Sequence, residues 1–338
     1  MSPPLSTCAS PALIALDWGT TSMRAFLFSA DGRVLESNAQ TAGVMSLPRA
    51  SGVAAFDAAF ESACGAWLDR HPALPVLAAG MVGSAQGWRE APYVSTPVDA
   101  DALAAGLIRV ESARGVPVAI VPGVLEAGAL PDVMRGEETQ IVGALAGDPA
   151  LSGGGAGTAA GALIGLPGTH AKWAWVRDAR IERFHTYMTG ELFAALRDHT
   201  ILGRTMRAGA QADAEAFRRG VAVARAGREA GLLATIFSTR TLGLTGQLAP
   251  DSQGDYLSGQ LIGHELNALV AMLASVGTTL AAQSPRLIGD PALCARYRSA
   301  LHEFGCDGAR VVEQATERGL WQIATQAGLI GAAACAPH

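Results

Sequence analysis

Two turns of the sequence carry residue types that can bind phosphate. Each turn contains a glycine followed by hydroxyl or imidazole side chains, and each comes directly after an apolar run. A tight turn of this kind points several backbone N–H groups in one direction and adds side-chain donors, which suits phosphate oxygens. The first turn consists of Gly19, Thr20 and Thr21, and the second of Gly168, Thr169 and His170. One such turn could be an ordinary hairpin, but two at equivalent places favour a bound nucleotide.

Charged residues flank both turns. Asp17 stands just before the first turn and could orient water around a magnesium ion that bridges the phosphates of a nucleotide. Lys172 follows the second turn and could neutralise phosphate charge. His170 has no second histidine at metal-ligand spacing, so a zinc site is not expected there.

Both turns belong to a three-strand unit that occurs twice. In each copy the turn joins the first two predicted strands, and Arg24 and Lys172 occupy comparable places. The predicted strands are residues 13–16, 23–29 and 33–37 in the first copy and residues 163–166, 172–176 and 180–186 in the second. Two copies indicate duplicated domains rather than a solenoid. They predict a nucleotide held between the two domains.

Helical and strand patterns alternate in the rest of the chain, which predicts an α/β fold. Apolar residues from Phe56 to Trp67 recur on one face of a predicted helix, and Asp290 with Pro291 forms a typical helix start. Further strands are predicted at residues 74–79 and 116–121, and further helices at residues 137–145, 190–196, 212–226 and 257–273.

One glycine-rich segment, residues 152–157, marks the expected domain boundary. The predicted domains are residues 1–150 and 151–338, although the helix around residues 321–326 could pack back onto the first domain.

Composition and charge exclude several classes of partner. The net charge of −5 provides no attraction to nucleic acid or to an anionic membrane. The five cysteines are scattered without a CxxC pair, so neither a disulfide framework nor a zinc site is expected. The apolar runs are too short to span a membrane, and the first dozen residues lack the pattern of a signal peptide. A cytoplasmic location is therefore expected, and a homo-oligomer remains open.

Seven longer motifs resemble the 2-dehydro-3-deoxygalactonokinase family, and together they span nearly the whole chain. They are DWGTTS at residues 17–22, GMVGS at 80–84, QGWREAPY at 86–93, PDVMRGEETQ at 131–140, LPGTHAKW at 166–173, MTGEL at 188–192 and YLSG at 256–259. The resemblance implies a two-lobed actin/hexokinase-like (ribonuclease H-like) fold with a duplicated mixed sheet flanked by helices. It also implies transfer of the ATP γ-phosphate to the C6 hydroxyl of 2-dehydro-3-deoxy-D-galactonate, a step of galactonate catabolism.

The same resemblance assigns the turns and one further glycine. Residues 19–21 and 168–170 would be the two phosphate loops, and Gly289 would lie in the turn that contacts adenosine. Ala171 is a departure, since serine is expected there in much of the family. The missing hydroxyl could weaken one phosphate contact, while the turn itself is retained.

A carboxylate should accept the proton of the attacking hydroxyl. Related folds carry such a group between the two phosphate loops, where the candidates are Glu137, Glu138 and Asp132. Adjacent residues at a helix start point in different directions, so only one of the two glutamates is expected to face the substrate. Alternatively, both glutamates merely favour the positive end of the helix dipole.

The sugar acid needs donors for its carboxylate, keto and hydroxyl oxygens. The candidates beside the motifs are Arg24, Arg89 and Arg135 for the acidic group and Ser84 and Tyr93 for hydroxyls. A solvated or ion-paired role is the alternative for each arginine.

Three other functions compete with this interpretation. A kinase of the same type could act on another sugar acid or polyol, since a few hydroxyl contacts decide specificity. An actin-like ATPase could use ATP as a switch. A phosphatase related to exopolyphosphatases would share the fold and the Gly-Glu-Glu segment, although the density of kinase motifs argues against it.

Overall fold

The computed structural model describes residues 10–48, 50, 52–152, 161–209, 211–275 and 277–330. Within these residues the chain forms two compact units. The first contains the described residues of Met1–Gly155, Arg177–Arg183 and Gln314–His338, and the second contains those of Ala156–Val176 and Phe184–Glu313. The glycine-rich segment predicted as a boundary, after Ser152, lies outside the described residues.

Runs of strands are separated by one or more α-helices. The strands are β1 (Pro11–Trp18), β2 (Met23–Ser29), β3 (Val34–Gln40), β4 (Val76–Gly80), β5 (Tyr93–Ser95), β6 (Ile108–Glu111), β7 (Pro117–Ile120), β8 (Gly123–Glu126), β9 (Asp132–Met134), β10 (Ala162–Leu166), β11 (Ala171–Arg177), β12 (Arg180–Tyr187), β13 (Arg286–Leu287) and β14 (Arg310–Val311). The helices are α1 (Val53–Arg70), α2 (Ala100–Ala105), α3 (Glu137–Gly147), α4 (Pro149–Ser152), α5 (Thr189–His199), α6 (Ala214–Ala226), α7 (Leu232–Thr235), α8 (Ser238–Leu244), α9 (Gln253–Ser275), α10 (Pro291–Glu303) and α11 (Ala315–Gln326).

The main sheet of the first unit has the order β3-β2-β1-β4-β7-β6. The strands β1, β2 and β3 form the predicted antiparallel meander, while β4 and β7 run parallel to β1. Residues 13–16 of β1 are all buried, because α1 packs on this sheet and α11 also contacts β1 and β4. A strand covered on both faces reads as a continuous apolar run, which explains why the sequence pattern predicted it.

The sequence did not predict α2, β6 or the three-stranded sheet β5-β8-β9 of the first unit. Its strands have three or four residues, and only β8 begins with two buried positions. Segments this short carry too little hydrophobic alternation to be recognised as strands.

The sheet of the second unit has the order β12-β11-β10-β13-β14. The strand β10 is antiparallel to β11 and parallel to β13, which is parallel to β14. This strand order and these directions match those of β3-β2-β1-β4-β7 in the sheet of the first unit. The repeated order is that of the ribonuclease H-like fold, so the prediction of a duplicated, helix-flanked mixed sheet of the actin/hexokinase type is confirmed.

The aromatic side chains mainly build the cores of the two units. Trp18 and Trp88 pack with Phe56 and Phe60 in the first core, and Trp173 lies against Tyr297 in the second.

Helix α10 begins as predicted, because the Asp290 side chain accepts the N–H of Leu293 and Pro291 is the first helical residue. Among the described residues, no helix combines the length and apolar character that crossing a membrane would require.

Helix α11 crosses α3 at two glycines. A Cβ on Gly143 would lie 1.7 Å from the Ala315 carbonyl oxygen, and one on Gly319 would lie 1.8 Å from the Thr139 carbonyl oxygen. The backbones can approach this closely only because neither position has a side chain. This contact helps to position α3, whose first residues are the candidate catalytic glutamates.

The substitution Gly319→Ala is expected to destabilise the chain by about 1–3 kcal/mol, because the new methyl group must push the two helix backbones apart. Urea unfolding measures the change. Gly147→Ala, on α3, is the matched control, since its Cβ would meet only the end of the Arg318 side chain. Equal stability of the two variants would contradict the proposed close packing.

Candidate active site

The first predicted phosphate turn is held by a short segment that follows β3. The Gly19 N–H donates to the Ser22 carbonyl at 2.9 Å. The carbonyls of residues 19, 20 and 21 accept N–H groups from residues 44, 45 and 43 at 3.0–3.2 Å. The side chains of Thr20 and Thr21 are exposed. The turn therefore has a fixed backbone and hydroxyl groups that a ligand can reach.

Helix α3 begins at the same sheet edge as this turn. The strands β1 and β4 are parallel and end together, with Trp18 opposite Gly80. A Cβ built on Gly136 would lie 3.3 Å from the Gly80 Cα, which places the residue before α3 against the end of β4. The first turn and the two glutamates of α3 thus meet at one edge of the sheet.

The two glutamates have different environments. Glu138 is completely buried, and its carboxylate accepts the Gly136 N–H at 2.6 Å and the Thr139 hydroxyl at 3.0 Å. Burial is the main cause that raises the pKa of Glu138 to about 7, and the charge of Glu137 adds to it. Glu137 is half-buried and accepts the Arg135 N–H at 3.0 Å. Of the pair, Glu137 is the one that a substrate can reach.

Asp132 lies at the start of β9, one strand before α3. Its carboxylate accepts the N–H of the next residue, Val133, at 2.8 Å. In the antiparallel register of β8 and β9 it lies opposite Glu126.

Asp17 and Arg24 form an ion pair. The Arg24 Nη2 donates to the Asp17 carboxylate at 2.6 Å and to the Thr316 hydroxyl at 3.2 Å. Gln140 of α3 also donates to that hydroxyl, at 3.2 Å. The structure therefore joins the predicted metal carboxylate to an arginine that was predicted to bind substrate. Since both side chains are partly exposed, the pair itself contributes little stability and a ligand can compete with it.

Arg135 carries two of four buried donors that have no partner among the described residues. Its Nη2 donates to the Ala91 carbonyl at 2.8 Å, and its guanidinium lies 4.5 Å from the centre of the Tyr93 ring. The Nε and Nη1 atoms of Arg135, the Ser84 hydroxyl and the Trp88 indole N–H are buried without a hydrogen bond. Unpartnered buried donors are costly, so such a group is typical of a ligand site.

Gly83 shows that the loop before Ser84 lies close to Arg135. A Cβ at this position would lie 2.9 Å from Arg135 Nη1, so the loop that carries Ser84 runs directly past the guanidinium. Arg89, by contrast, is exposed and is not part of this group. The indole N–H of Trp88 was not foreseen as a donor, since its tryptophan reads as a core residue.

The second predicted phosphate turn borders a cavity of about 1080 Å³ in the second unit. Gly168 and Thr169 line this cavity together with Gly190 at the start of α5. The Glu191 N–H donates to the Thr169 carbonyl at 3.0 Å, and the Glu191 carboxylate pairs with the His170 ring. The N-terminus of α5 therefore supports the turn.

Two further predicted residues lie next to this turn. Gly289 has a φ of 150°, and a Cβ on it would lie 3.0 Å from the Pro167 carbonyl oxygen. Lys172 is buried on β11, with its ammonium group 3.5 Å from the His170 carbonyl oxygen. The cavity is large enough for a nucleotide, and its wall includes the capped start of α10 at Asp290.

Glu265 of α9 is a buried carboxylate that the sequence analysis missed. Burial raises its pKa to about 7 although Thr189, Trp173 and Tyr297 donate hydrogen bonds to it, each of which lowers the pKa. The signal was present in the sequence: Glu265 follows Leu257 and Leu261 at four-residue steps, so a charged residue falls on an apolar helix face.

Comparison with known proteins reveals similarity over both units. The family model for 2-keto-3-deoxy-galactonokinases matches residues 17–323. The chain is 34% identical over 314 residues to the 2-dehydro-3-deoxygalactonokinase of Escherichia coli (strain K12), which covers 92% of this chain and 97% of the relative. It is 36% identical over 318 residues to the Rhizobium meliloti (strain 1021) protein named "Probable 2-dehydro-3-deoxygalactonokinase DgoK1", covering 90% and 94% of the two chains. The crystal structure of a "putative 2-dehydro-3-deoxygalactonokinase protein" from Sinorhizobium meliloti has a TM-score of 0.78 at 34% identity, covering 92% of this chain and 98% of that one.

The raised pKa of Glu138 predicts a pH-dependent stability. Between pH 4.5 and about 7 the unfolded chain loses this proton while the folded chain keeps it, so the free energy of unfolding falls as pH rises. Relative to Glu138→Gln, which cannot ionise, the wild type is expected to lose about 3 kcal/mol across this window. Urea unfolding at a series of pH values measures the difference, and a constant difference would contradict the assignment.

Proposed function

The chain belongs to the 2-keto-3-deoxy-galactonokinase family, and from this premise we propose that it transfers the γ-phosphoryl group of ATP to the C6 hydroxyl of 2-dehydro-3-deoxy-D-galactonate. The product is 2-dehydro-3-deoxy-6-phosphogalactonate, and the reaction is a step of galactonate catabolism. The single observation that carries this proposal is the family match over residues 17–323, which includes both phosphate turns and the start of α3.

The second unit is proposed to bind ATP. Its cavity combines a glycine-threonine turn with the N-terminus of α5, and backbone N–H groups at such positions favour phosphate oxygens. Lys172 adds positive charge directly behind the turn, and Gly289 borders the same turn on the side of α10. These features support the assignment of Gly168, Thr169, His170, Lys172 and Gly289 to the nucleotide.

The first unit is proposed to bind the sugar acid. Arg135 offers two buried guanidinium N–H donors that lack partners, on Nε and Nη1. They point to different sides of the guanidinium, so each can donate a charge-assisted hydrogen bond to a separate oxygen of the sugar acid. The Ser84 hydroxyl and the Trp88 indole N–H are buried donors nearby in the chain, and Tyr93 stacks on Arg135. Arg24 and Arg89 are weaker candidates, because Arg24 is paired with Asp17 and Arg89 is exposed.

Glu137 is proposed as the base. Its carboxylate would accept the proton of the C6 hydroxyl while the C6 oxygen bonds to the γ-phosphorus and the bond to the departing ADP oxygen breaks. Glu138 is buried and would act through its hydrogen bond to the Gly136 N–H at the start of α3, and Asp132 lies on the preceding strand, β9. Glu137→Gln should lower kcat by about 10²–10⁴ with little change in KM. Steady-state kinetics measure both constants, and an unchanged kcat would exclude the role.

Magnesium is proposed as the metal that accompanies ATP. The residues described contain no cluster of three or more groups able to ligate a metal, which fits an ion held largely by phosphate and water. Asp17, next to the exposed hydroxyls of the first turn, and Thr20 and Thr21 would complete its surroundings. Such an ion supplies charge neutralisation on the phosphates.

Because the reaction consumes ATP, the proposed location is the cytoplasm.

Coupled ADP release from ATP and Mg²⁺ tests the function. The acid panel contains 2-dehydro-3-deoxy-D-galactonate, its gluconate epimer and other sugar acids. Rapid release with the galactonate acid alone is the expected result. Release with another acid would change the substrate but keep the kinase, and ATP turnover independent of any acid would replace the kinase by an ATPase.

Arg135→Ala should raise the KM for the sugar acid by about tenfold or more and leave the KM for ATP unchanged, because a charge-assisted hydrogen-bond pair is lost only in the first unit. Arg89→Ala is the matched control, since Arg89 is exposed and lies in the same motif region. Equal effects of the two substitutions on the acid KM would contradict the assignment of Arg135.

A further inference from the structure

Three hydrogen-bond donors converge on one buried carboxylate inside the second unit. Glu265 of α9 is 4% exposed. Its Oε1 accepts the Trp173 indole N–H at 2.7 Å, and its Oε2 accepts the Tyr297 hydroxyl at 2.8 Å as well as the Thr189 hydroxyl. The donors come from three different elements, β11, α10 and α5, so the carboxylate joins them at a single point.

Each of these donors is connected to the wall of the nucleotide cavity. Thr189 and Tyr297 line the cavity directly, and Trp173 lies on the strand that follows the second phosphate turn. Thr189 precedes Gly190, where a Cβ would lie 2.6 Å from the Gly168 carbonyl oxygen. A shift of Thr189 would therefore move Gly190, which lies against the second phosphate turn at Gly168.

A carboxylate suits this position better than a neutral side chain. An indole N–H can only donate, and two hydroxyl groups donating to one oxygen need an acceptor with several lone pairs. A glutamine side chain has only one acceptor oxygen, and its NH₂ group would face some of the three donors. Hydroxyl protons of Thr189 or Tyr297 would then have no acceptor in this network. The network is thus complete only with glutamate, and partial satisfaction of a buried network is destabilising.

We propose that Glu265 is a positioning residue for the nucleotide: it holds Thr189 and Tyr297 so that the start of α5 keeps the second phosphate turn in its binding geometry. The inference rests on the proposed nucleotide role of the second unit. Glu265 acts through its donors and not through contact with the reacting atoms, so its loss should affect ATP more than the sugar acid.

Calorimetric binding of ATP and Mg²⁺ to Glu265→Gln, Thr189→Val and the double variant tests the proposal. Each single variant should weaken ATP binding about tenfold or more, and the double variant should be no weaker than either single one, because both remove the same connection. Thr189→Ser keeps the hydroxyl and should restore the affinity. The KM for the sugar acid should stay unchanged in all of them.

Gln260→Met is the control for a purely structural effect. Gln260 is also buried on α9, but it bonds to Ser238 and Tyr256, which do not line the cavity. Its loss should lower stability and leave ATP binding unchanged. If the Glu265 and Thr189 variants bind ATP as the wild type does, Glu265 is only structural and the proposal is overturned. A wild type that binds no ATP would overturn the proposed function together with it.

Discussion

The proposed phosphate turn of each unit lies beside a backbone approach that only glycine allows. At the end of β4, Gly80 has a φ of 94°, and a Cβ there would lie 2.8 Å from the Trp18 carbonyl oxygen. After β13, Gly289 has a φ of 150°, and a Cβ there would lie 3.0 Å from the Pro167 carbonyl oxygen. Other residues are strained at such φ values and would also collide. In both units, then, a glycine at the end of the parallel neighbour strand, or just after it, lies against the residue that precedes the turn.

Each unit contains a buried glutamate. In the first unit Glu138 accepts the Gly136 N–H at the start of α3, and in the second Glu265 accepts donors from three elements around the cavity. Burial raises the pKa of both carboxyl groups to about 7, which indicates the cost of removing them from water. Hydrogen bonds offset part of that cost. A fully bonded buried carboxylate restricts its donors, which lie at the start of α3 in the first unit and around the cavity in the second.

The duplicated meander could be predicted from the sequence because its signals are local. Residues 13–16 form a continuous apolar run, and Asp31-Gly32 is a strong hairpin signal. The start of α10 was equally visible, since a cap followed by proline needs only two adjacent residues. The predicted boundaries of these strands agree with the observed ones within a few residues, because they too depend on local signals. The short sheet of β5, β8 and β9 lacked such signals.

The site was less predictable because its contacts join distant parts of the chain. The sequence could name Glu137 and Glu138, but only the packing of α3 decides that Glu138 is the buried one. Arg24 precedes Thr316 by 292 positions, and no local pattern links them. The donors of Arg135 became informative only when the structure left two of them buried without partners. Glu265 was accessible in principle, as a charge on an apolar helix face.

The most direct test of the account is ³¹P–¹H correlation NMR of the product formed from ATP, Mg²⁺ and 2-dehydro-3-deoxy-D-galactonate. The account predicts a phosphate monoester whose phosphorus correlates with the C6 methylene protons of the acid, formed together with ADP. Free inorganic phosphate as the only new phosphorus species, or a phosphoryl group on another oxygen of the acid, would contradict it.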